Sequence, residues 1–190
     1  MGLRVAQAMA LLMALFGCGM VVNGLWIEAK AWLAEGLIDL AWQRTLNGQR
    51  QVTPWPWADT WPVARLESPR LGVSRLVLSG DSGSTLAFGP GWAEQSTLPG
   101  GVGRSFVSGH RDTHFRFLED LQIGDILKLQ GGDGREMDYR VVEYLVVDQR
   151  AGWQIPLTGP QELLLITCFP FDALMPGGPL RYIVRAEITG

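Results

Sequence analysis

Three side chains in this sequence have the types that acyl transfer through a thioester requires: Cys168, His110 and Arg181. Cys168 ends an apolar run that predicts a buried strand, so its backbone would be fixed while its thiol could face a cleft. The thiolate is the nucleophilic form of cysteine, and His110 can give or accept the proton that an amine exchanges. Arg181 stays charged and can stabilise the oxyanion of a tetrahedral intermediate. The sequence thus offers one candidate for each role.

Each of the three residues also has a more ordinary explanation. A cysteine at the end of an apolar strand is more often a small buried hydrophobic residue, and such histidines and arginines are usually at the surface. The remaining cysteine, Cys18, lies in an apolar N-terminal run, so neither a disulfide nor a Cys/His zinc site is expected. The other histidine, His114, is interpreted as structural. We expect no metal and no cofactor.

The first 25 residues predict a membrane anchor. Residues 5–25 contain no charge, and at about 1.5 Å per residue they span about 31 Å, enough to cross the hydrocarbon core. Arg4 precedes the run and favours a cytoplasmic N-terminus. Two alternatives remain open: a cleaved signal peptide, or a lipoprotein signal with lipid attached at Cys18.

Two further segments separate this anchor from the rest of the chain. Residues 26–50 predict a second helix, because apolar residues recur at helical spacing and proline is absent. That helix would pack on the domain or lie at the membrane surface. Residues 51–62 contain three prolines and several tryptophans, which indicates a stiff linker. The catalytic domain is predicted at 63–190.

Residues 63–190 have the character of a β-domain. Short runs of β-forming residues alternate with glycine and proline turns, which favours a sandwich or a closed barrel. The predicted strands are 63–67, 71–78, 104–108, 125–130, 137–148, 163–167 and 180–188, with one short helix at 114–121. The net charge is −3 and the basic residues are scattered, so a nucleic-acid-binding surface is not expected.

Three segments stand in a fixed order along the chain: Gly109-His110-Arg111-Asp112, Ile166-Thr167-Cys168 and Leu180-Arg181-Tyr182-Ile183-Val184. Taken together, they resemble the sortase family of cysteine transpeptidases. They are similar to that family's upstream histidine, its TLxTC-like strand and the arginine of its next strand. Leu164 stands where the common motif has threonine. The resemblance covers about 62–188, and the stretch between Cys168 and Arg181 is most similar to the sortases of Gram-negative bacteria.

The resemblance implies an all-β fold, a closed eight-stranded sortase-type barrel with short helices, preceded by the transmembrane helix and the second helix. It implies cleavage of an LPxTG-like sorting signal between Thr and Gly, with Cys168 as nucleophile, His110 as general acid and base, and Arg181 as stabiliser of the oxyanion. Thr167 would help to bind substrate or line the oxyanion site. No acidic cluster occupies 148–161, so the calcium site of some sortases is not expected.

The same resemblance implies the partners and the location. The substrate would be a membrane-tethered protein with a C-terminal LPxTG-like signal, and an amine would accept the acyl group. The chain would be a single-pass protein of the cell inner membrane, with its catalytic domain on the periplasmic or extracytoplasmic side. Some sortases carry an aromatic lid, so Trp55, Trp57 or Trp61 is predicted near the cleft. Packing of these tryptophans on the barrel wall is the alternative.

Two other functions compete with this interpretation. One is an L,D-transpeptidase-like enzyme acting on peptidoglycan, whose usual signature places His, Gly, Cys and Arg in one short stretch. His110 and Cys168 lie far apart in this sequence, which counts against it. The other is a membrane-anchored, non-catalytic β-domain that binds proteins. That function leaves the ordered histidine, cysteine and arginine unexplained.

Overall fold

The computed structural model describes residues 2–152, 159–173, 175 and 177–189. The chain divides into two compact units, one ending at Gly36 and one comprising Leu37–Gly190. The first helix, α1, spans Gly2–Leu46. The two helices predicted at 1–25 and 26–50 are therefore one continuous helix, because no proline interrupts the sequence between them.

The first unit is the N-terminal part of α1, and its described apolar side chains are largely exposed. Leu12, Met13 and Phe16 are examples, each more than 60% exposed. Among the described residues, Met9–Leu46 is one helical stretch long and apolar enough to cross a membrane, by length and composition only. The N-terminal apolar helix is thus a candidate membrane anchor.

The second unit is built on a closed barrel of eight strands, as predicted for the fold class. The barrel order is β1-β2-β3-β4-β7-β8-β6-β5. The pairs β2/β3 and β4/β7 are parallel, and the other neighbours are antiparallel. The strands are β1 (Pro62–Ser68), β2 (Val73–Ser79), β3 (Gly91–Trp92), β4 (Gly103–Ser108), β5 (Ile126–Gly131), β6 (Glu136–Asp148), β7 (Gln161–Cys168) and β8 (Leu180–Ile188).

Short helices join some of the strands. The helix predicted at 114–121 is a 3₁₀ helix at Arg116–Asp120, and a second 3₁₀ helix covers Gln149–Ala151. Helix α2, Gly83–Leu86, and strand β3, Gly91–Trp92, were not predicted. Both are too short for a sequence period to reveal them.

The core of the second unit lies inside the barrel and follows the alternation of the strands. Leu163 and Leu165 of β7 point into it, together with Val107 of β4 and Val184 of β8. The last turns of α1, from Leu37 onward, pack in this unit as well, because Ile38, Ala41 and Trp42 are buried there. The guanidinium of Arg65 lies 6.0 Å from the Trp42 ring centroid, a cation–π contact.

The strand directions define two ends of the barrel. At one, which we call the Cys168 end, β7 ends at Cys168, β4 ends at Ser108 and β8 begins at Leu180. At the opposite end, which we call the far end, β4 begins at Gly103 and β7 at Gln161. The start of β1, the end of β5 and the start of β6 also lie at the far end, since antiparallel pairing links them to the end of β8.

Candidate functional site

Cys168 is the last residue of β7 and is half-buried. The strand alternates between two faces. Leu163 and Leu165 face the central core, whereas Leu164 and Ile166 belong to a second buried apolar cluster. Cys168 has the same parity as Leu164 and Ile166, so its side chain lies on their face of the strand. The long apolar strand thus fixes the backbone of the thiol, as the sequence predicted.

Arg181 lies directly opposite Cys168 in the antiparallel pairing of β7 with β8. Side chains of such a pair are on one face, with Cβ atoms about 4.5–5.5 Å apart. Nη1 of Arg181 donates to the carbonyl oxygens of Gly178 at 2.7 Å and of Leu180 at 2.9 Å. Within the described part of the chain, these bonds use one nitrogen of the guanidinium, so its fork can also serve a bound oxyanion.

His110 reaches the same level from the other side of Cys168. Strand β4 is parallel to β7 with Ser108 beside Ile166, and His110 lies two residues beyond Ser108, as Cys168 lies two residues beyond Ile166. Two hydrogen bonds continue the pairing beyond β4. Gly109 N donates to Ile166 O at 3.0 Å, and Thr167 Oγ1 donates to Gly109 O at 2.7 Å.

The structure therefore brings the three sequence-predicted residues together. His110, Cys168 and Arg181 stand at one level at the ends of β4, β7 and β8, which are neighbours in the barrel. The side chain of His110 is exposed and those of the other two are half-buried. A substrate carbonyl at this edge could meet a thiol, a proton-transfer group and a permanent cation.

The backbone of His110 is held from within its own loop. Its carbonyl oxygen accepts from Phe115 N at 2.9 Å and from Thr113 N at 3.4 Å. Gly109 leaves room for the fully buried ring of Phe115, because a Cβ at Gly109 would lie 2.7 Å from its Cγ atom. Sequence reasoning assigned no role to Gly109 or Phe115, although Gly109 lies in the motif that carried the resemblance.

Thr167 was predicted to bind substrate or to line the oxyanion site. Its side chain faces the opposite side of β7 from Cys168, and the residue is 2% exposed. Its hydroxyl donates to Gly109 O. The observed contact of Thr167 is thus with the backbone beside His110, and its part in substrate binding stays a prediction.

An aromatic group closes the barrel interior at the Cys168 end. The ring of Phe169 stacks on Tyr182, with centroids 6.1 Å apart, and Tyr182 stacks on Tyr144 at 5.9 Å. Phe171 meets Tyr182 edge-on at 5.2 Å. Burial raises the pKa of Tyr182 above its ordinary value. This packing holds the residues on either side of the Cys168–Arg181 pair.

The three tryptophans considered for a lid lie in different places. Trp61 adjoins the start of β1, at the far end of the barrel, where its carbonyl accepts from Ser79 N at 2.8 Å. The ring of Trp55 packs edge-on against Phe88, with centroids 5.1 Å apart. Trp57 is 83% exposed. Trp61 thus packs against the barrel core, as the barrel-wall alternative describes, and Trp55 packs on a loop residue. A lid function stays a prediction.

A cavity of about 730 Å³ lies at the far end of the barrel. Its lining includes Trp61, Trp92, Gly100, Gly131 and Met137. No cysteine or histidine contributes to this described lining. The cavity is therefore separate from the edge where Cys168, His110 and Arg181 meet.

Comparison with known proteins identifies the relatives of this chain. The family model described as "Sortase domain" matches residues 66–189. Sortase D of Bacillus subtilis is 35% identical over 123 residues, which cover 64% of this chain and 61% of that protein. The chain thus spans about 61% of the length of this relative.

Solved structures of sortases have the same fold. Sortase A from Corynebacterium diphtheriae superposes with a TM-score of 0.61 and 25% identity, covering 76% of this chain and 68% of that one. Sortase C-1 from Actinomyces oris gives 0.57 and 28%, covering 68% and 75%. These relatives come from Gram-positive bacteria and lend no support to the expected likeness to the sortases of Gram-negative bacteria, which stays a prediction.

Proposed function

The chain belongs to the sortase family, and on that premise we propose that it is a membrane-anchored cysteine transpeptidase. Its substrate would be an LPxTG-like sorting signal, cleaved between Thr and Gly, and its product a protein attached to the cell surface. The observation that carries the proposal is the strand register, which places His110, Cys168 and Arg181 at the same ends of three neighbouring strands.

The first half-reaction would form a thioester. The Cys168 thiolate attacks the carbonyl carbon of the signal's threonine, and the carbonyl oxygen becomes an oxyanion. Arg181 donates hydrogen bonds to that oxyanion. The intermediate collapses by breaking the Thr–Gly bond, and protonated His110 gives its proton to the departing glycine amine. The acyl group then remains on Sγ of Cys168.

The second half-reaction would transfer the acyl group. An amine attacks the thioester carbon, and neutral His110 accepts the proton that the amine loses. A second oxyanion forms and is again stabilised by Arg181. Its collapse breaks the C–S bond, releases the Cys168 thiolate and leaves a new amide. Proton and charge return to their starting positions, so no cofactor is required.

The candidate anchor supports a substrate that shares the same membrane. A tethered enzyme and a tethered sorting signal meet at a higher effective concentration than two free molecules do. We propose a single-pass protein of the cell inner membrane, with the barrel on its periplasmic or extracytoplasmic side. The apolar α1 residues of the first unit would then be covered by lipid.

The test uses the full chain in detergent micelles with a panel of LPxTG-like peptides and several amines. Mass spectrometry of the products separates transfer to the amine from hydrolysis. The proposal predicts a peptide–amine product that forms with the wild-type chain and not with Cys168→Ala. If no peptide is cleaved, and thiol alkylation leaves peptide binding intact, the chain is instead a non-catalytic binding domain.

A further inference from the structure

Arg111 follows His110 directly, and its guanidinium reaches the segment that follows Cys168. Nη1 donates to the carbonyl oxygen of Pro170 at 2.8 Å. Nη2 donates to that of Ala173 at 2.7 Å and lies 3.3 Å from that of Met175. The Arg111 side chain thus joins the loop that contains His110 to the loop that follows Cys168.

We infer that Arg111 is a positioning residue for the proposed transfer, an inference that rests on the proposed function. It fixes the His110 loop against the segment after Cys168 and thereby sets the separation of the base and the nucleophile. Arg181 does not make this connection, because within the described chain its side chain bonds only to the carbonyl oxygens of Gly178 and Leu180.

The need for such a connection follows from the strand pairing. Before the site, β4 and β7 are joined by their ladder and by the two bonds of Gly109 with Ile166 and Thr167. At His110 and Cys168 that ladder stops, because the two chains turn into separate loops. Beyond that point, the bond from Arg111 to Pro170 connects the two chains again. Arg111 lies one residue after His110, and Pro170 lies two residues after Cys168. The pair is therefore held from both sides.

The chemistry of arginine suits this place. Carbonyl oxygens of a tight loop need donors, and a guanidinium offers several in a rigid fork that stays charged. Bonds from a charged donor are stronger than neutral ones. Pro170 O accepts from Arg111 and, at 3.4 Å, from Ala173 N. A lysine would present its donors from a single flexible nitrogen and could not reproduce the fork.

Arg111 also differs from the arginines that form ion pairs within the described chain, because its described partners are all backbone carbonyls. It is therefore placed to hold a loop in shape. Arg116 adds a longer bond to the same segment, from Nη1 to the carbonyl oxygen of Phe171 at 3.4 Å. The ion-paired arginines are Arg70, Arg104, Arg116, Arg135, Arg150 and Arg185.

The experiment compares Arg111→Met and Arg111→Lys with the control Arg75→Met, whose described bond is to the carbonyl of its own neighbour, Ser74. All are made in the full chain in micelles with Cys18→Ser, so that Cys168 is the one thiol. We measure kcat and KM with the best peptide of the panel, the melting temperature, and the rate of Cys168 alkylation by iodoacetamide as a function of pH.

For Arg111→Met we expect kcat to fall about tenfold or more, with KM changed less than threefold, because a misplaced base costs rate more than binding. The pH profile of alkylation should differ from that of the parent, because it depends on how close His110 lies to the thiol. Arg111→Lys should recover part of kcat, and Arg75→Met should match the parent. A purely structural role would lower the melting temperature and leave the pH profile of the folded protein unchanged.

Two outcomes would overturn the inference: a wild-type alkylation profile in both Arg111 variants, or a kcat that follows only the loss of melting temperature. If Arg111→Met does not fold, Arg111→Lys decides by the same two readouts. If the parent turns over no peptide, the proposed function fails. The alkylation profile, which needs no peptide, still decides whether Arg111 places His110 beside Cys168.

Discussion

The two ends of the barrel contrast in what they offer a ligand. At the Cys168 end, three neighbouring strands bring a thiol, an imidazole and a guanidinium to one level. At the far end, a cavity of about 730 Å³ is lined by Trp61, Trp92 and glycine backbone. The cavity lies at the far end, but the reactive groups lie at the other. The position of reactive side chains, and not the volume of a cavity, marks the candidate active site in this fold.

Individual arginines at the two ends also differ in their contacts. At the Cys168 end, Arg111 bonds to loop carbonyls and Arg70 bonds to Asp125, whose side chain is 9% exposed. At the far end, Arg135 lies 3.5 Å from Asp133, and both side chains are more than half exposed. Such an exposed pair contributes little, so replacing Arg135 should have a smaller effect than replacing Arg70 or Arg111.

The largest contrast is expected for loss of a guanidinium. Arg181→Met removes the donor proposed for the oxyanion and should lower kcat/KM on the order of 10²–10³-fold. Arg50→Met removes a guanidinium from the lining of the far-end cavity and should leave kcat/KM within about twofold. Steady-state kinetics with the best peptide measures both. Equal losses would remove the distinction between the ends.

A matched pair of glycines gives the next effect. In Gly109→Ala the new Cβ would lie 2.7 Å from Cγ of Phe115, so the His110 loop must shift. We expect kcat to fall about tenfold or more and the free energy of unfolding to fall by about 1–3 kcal/mol.

The control for this glycine is Gly132→Ala at the far end. Its new Cβ would lie 3.0 Å from Cγ2 of Thr45, a contact that a small shift relieves. We expect kcat to stay at the wild-type value. Kinetics and chemical denaturation of both variants check the pair, and a fully active Gly109→Ala would show that the loop need not be held closely.

Local patterns could predict a β-domain, whereas the closed barrel followed from the resemblance to the sortase family. The roles of Cys168, His110 and Arg181 followed from the same resemblance and stay predictions. A buried strand ending in Cys168 and the turn before His110 are visible in short segments. Strand β3 was not predicted, because two residues are too few to show a hydrophobic period. The bonds of Arg111 and the contact of Gly109 with the Phe115 ring were not predicted for another reason. They depend on how the folded chain places these residues, which no local pattern shows.

A smaller contrast concerns stability in acid. Hydrogen bonds from Arg70 hold the pKa of Asp125 below its ordinary value of 3.8. Because the folded pKa is lowered, the stabilisation is present above about pH 4 and is lost as the pH falls through the folded value. Because Arg70 is half-exposed, solvent screening keeps this stabilisation small.

Denaturation of Arg70→Met at pH 7 and pH 3 measures that contribution. The variant should lose stability at pH 7 and lose less than the wild type on acidification. Arg135→Met at the far end should change neither value, because its pair with Asp133 is solvated. If Arg70→Met lost as much stability between pH 7 and pH 3 as the wild type does, the acid sensitivity would come from a carboxylate other than Asp125.

The smallest effect is expected for the tryptophans. Replacing Trp55, Trp57 and Trp61 together by alanine should leave the alkylation rate of Cys168 unchanged, since Trp61 lies at the far end and Trp55 packs on Phe88. The melting temperature should fall, because Trp61 packs against the core. A faster alkylation rate in the triple variant would instead support an aromatic lid over the thiol.

The central claim is that Cys168 holds the acyl group, and intact-mass analysis of the full chain tests it most directly. The chain is mixed with an excess of the preferred peptide without an amine, quenched in acid and digested to locate the added mass. The account predicts one acyl adduct on Cys168 that disappears when amine is added and is absent from Cys168→Ala. An adduct on another residue, or peptide cleavage that survives Cys168→Ala, would contradict the account.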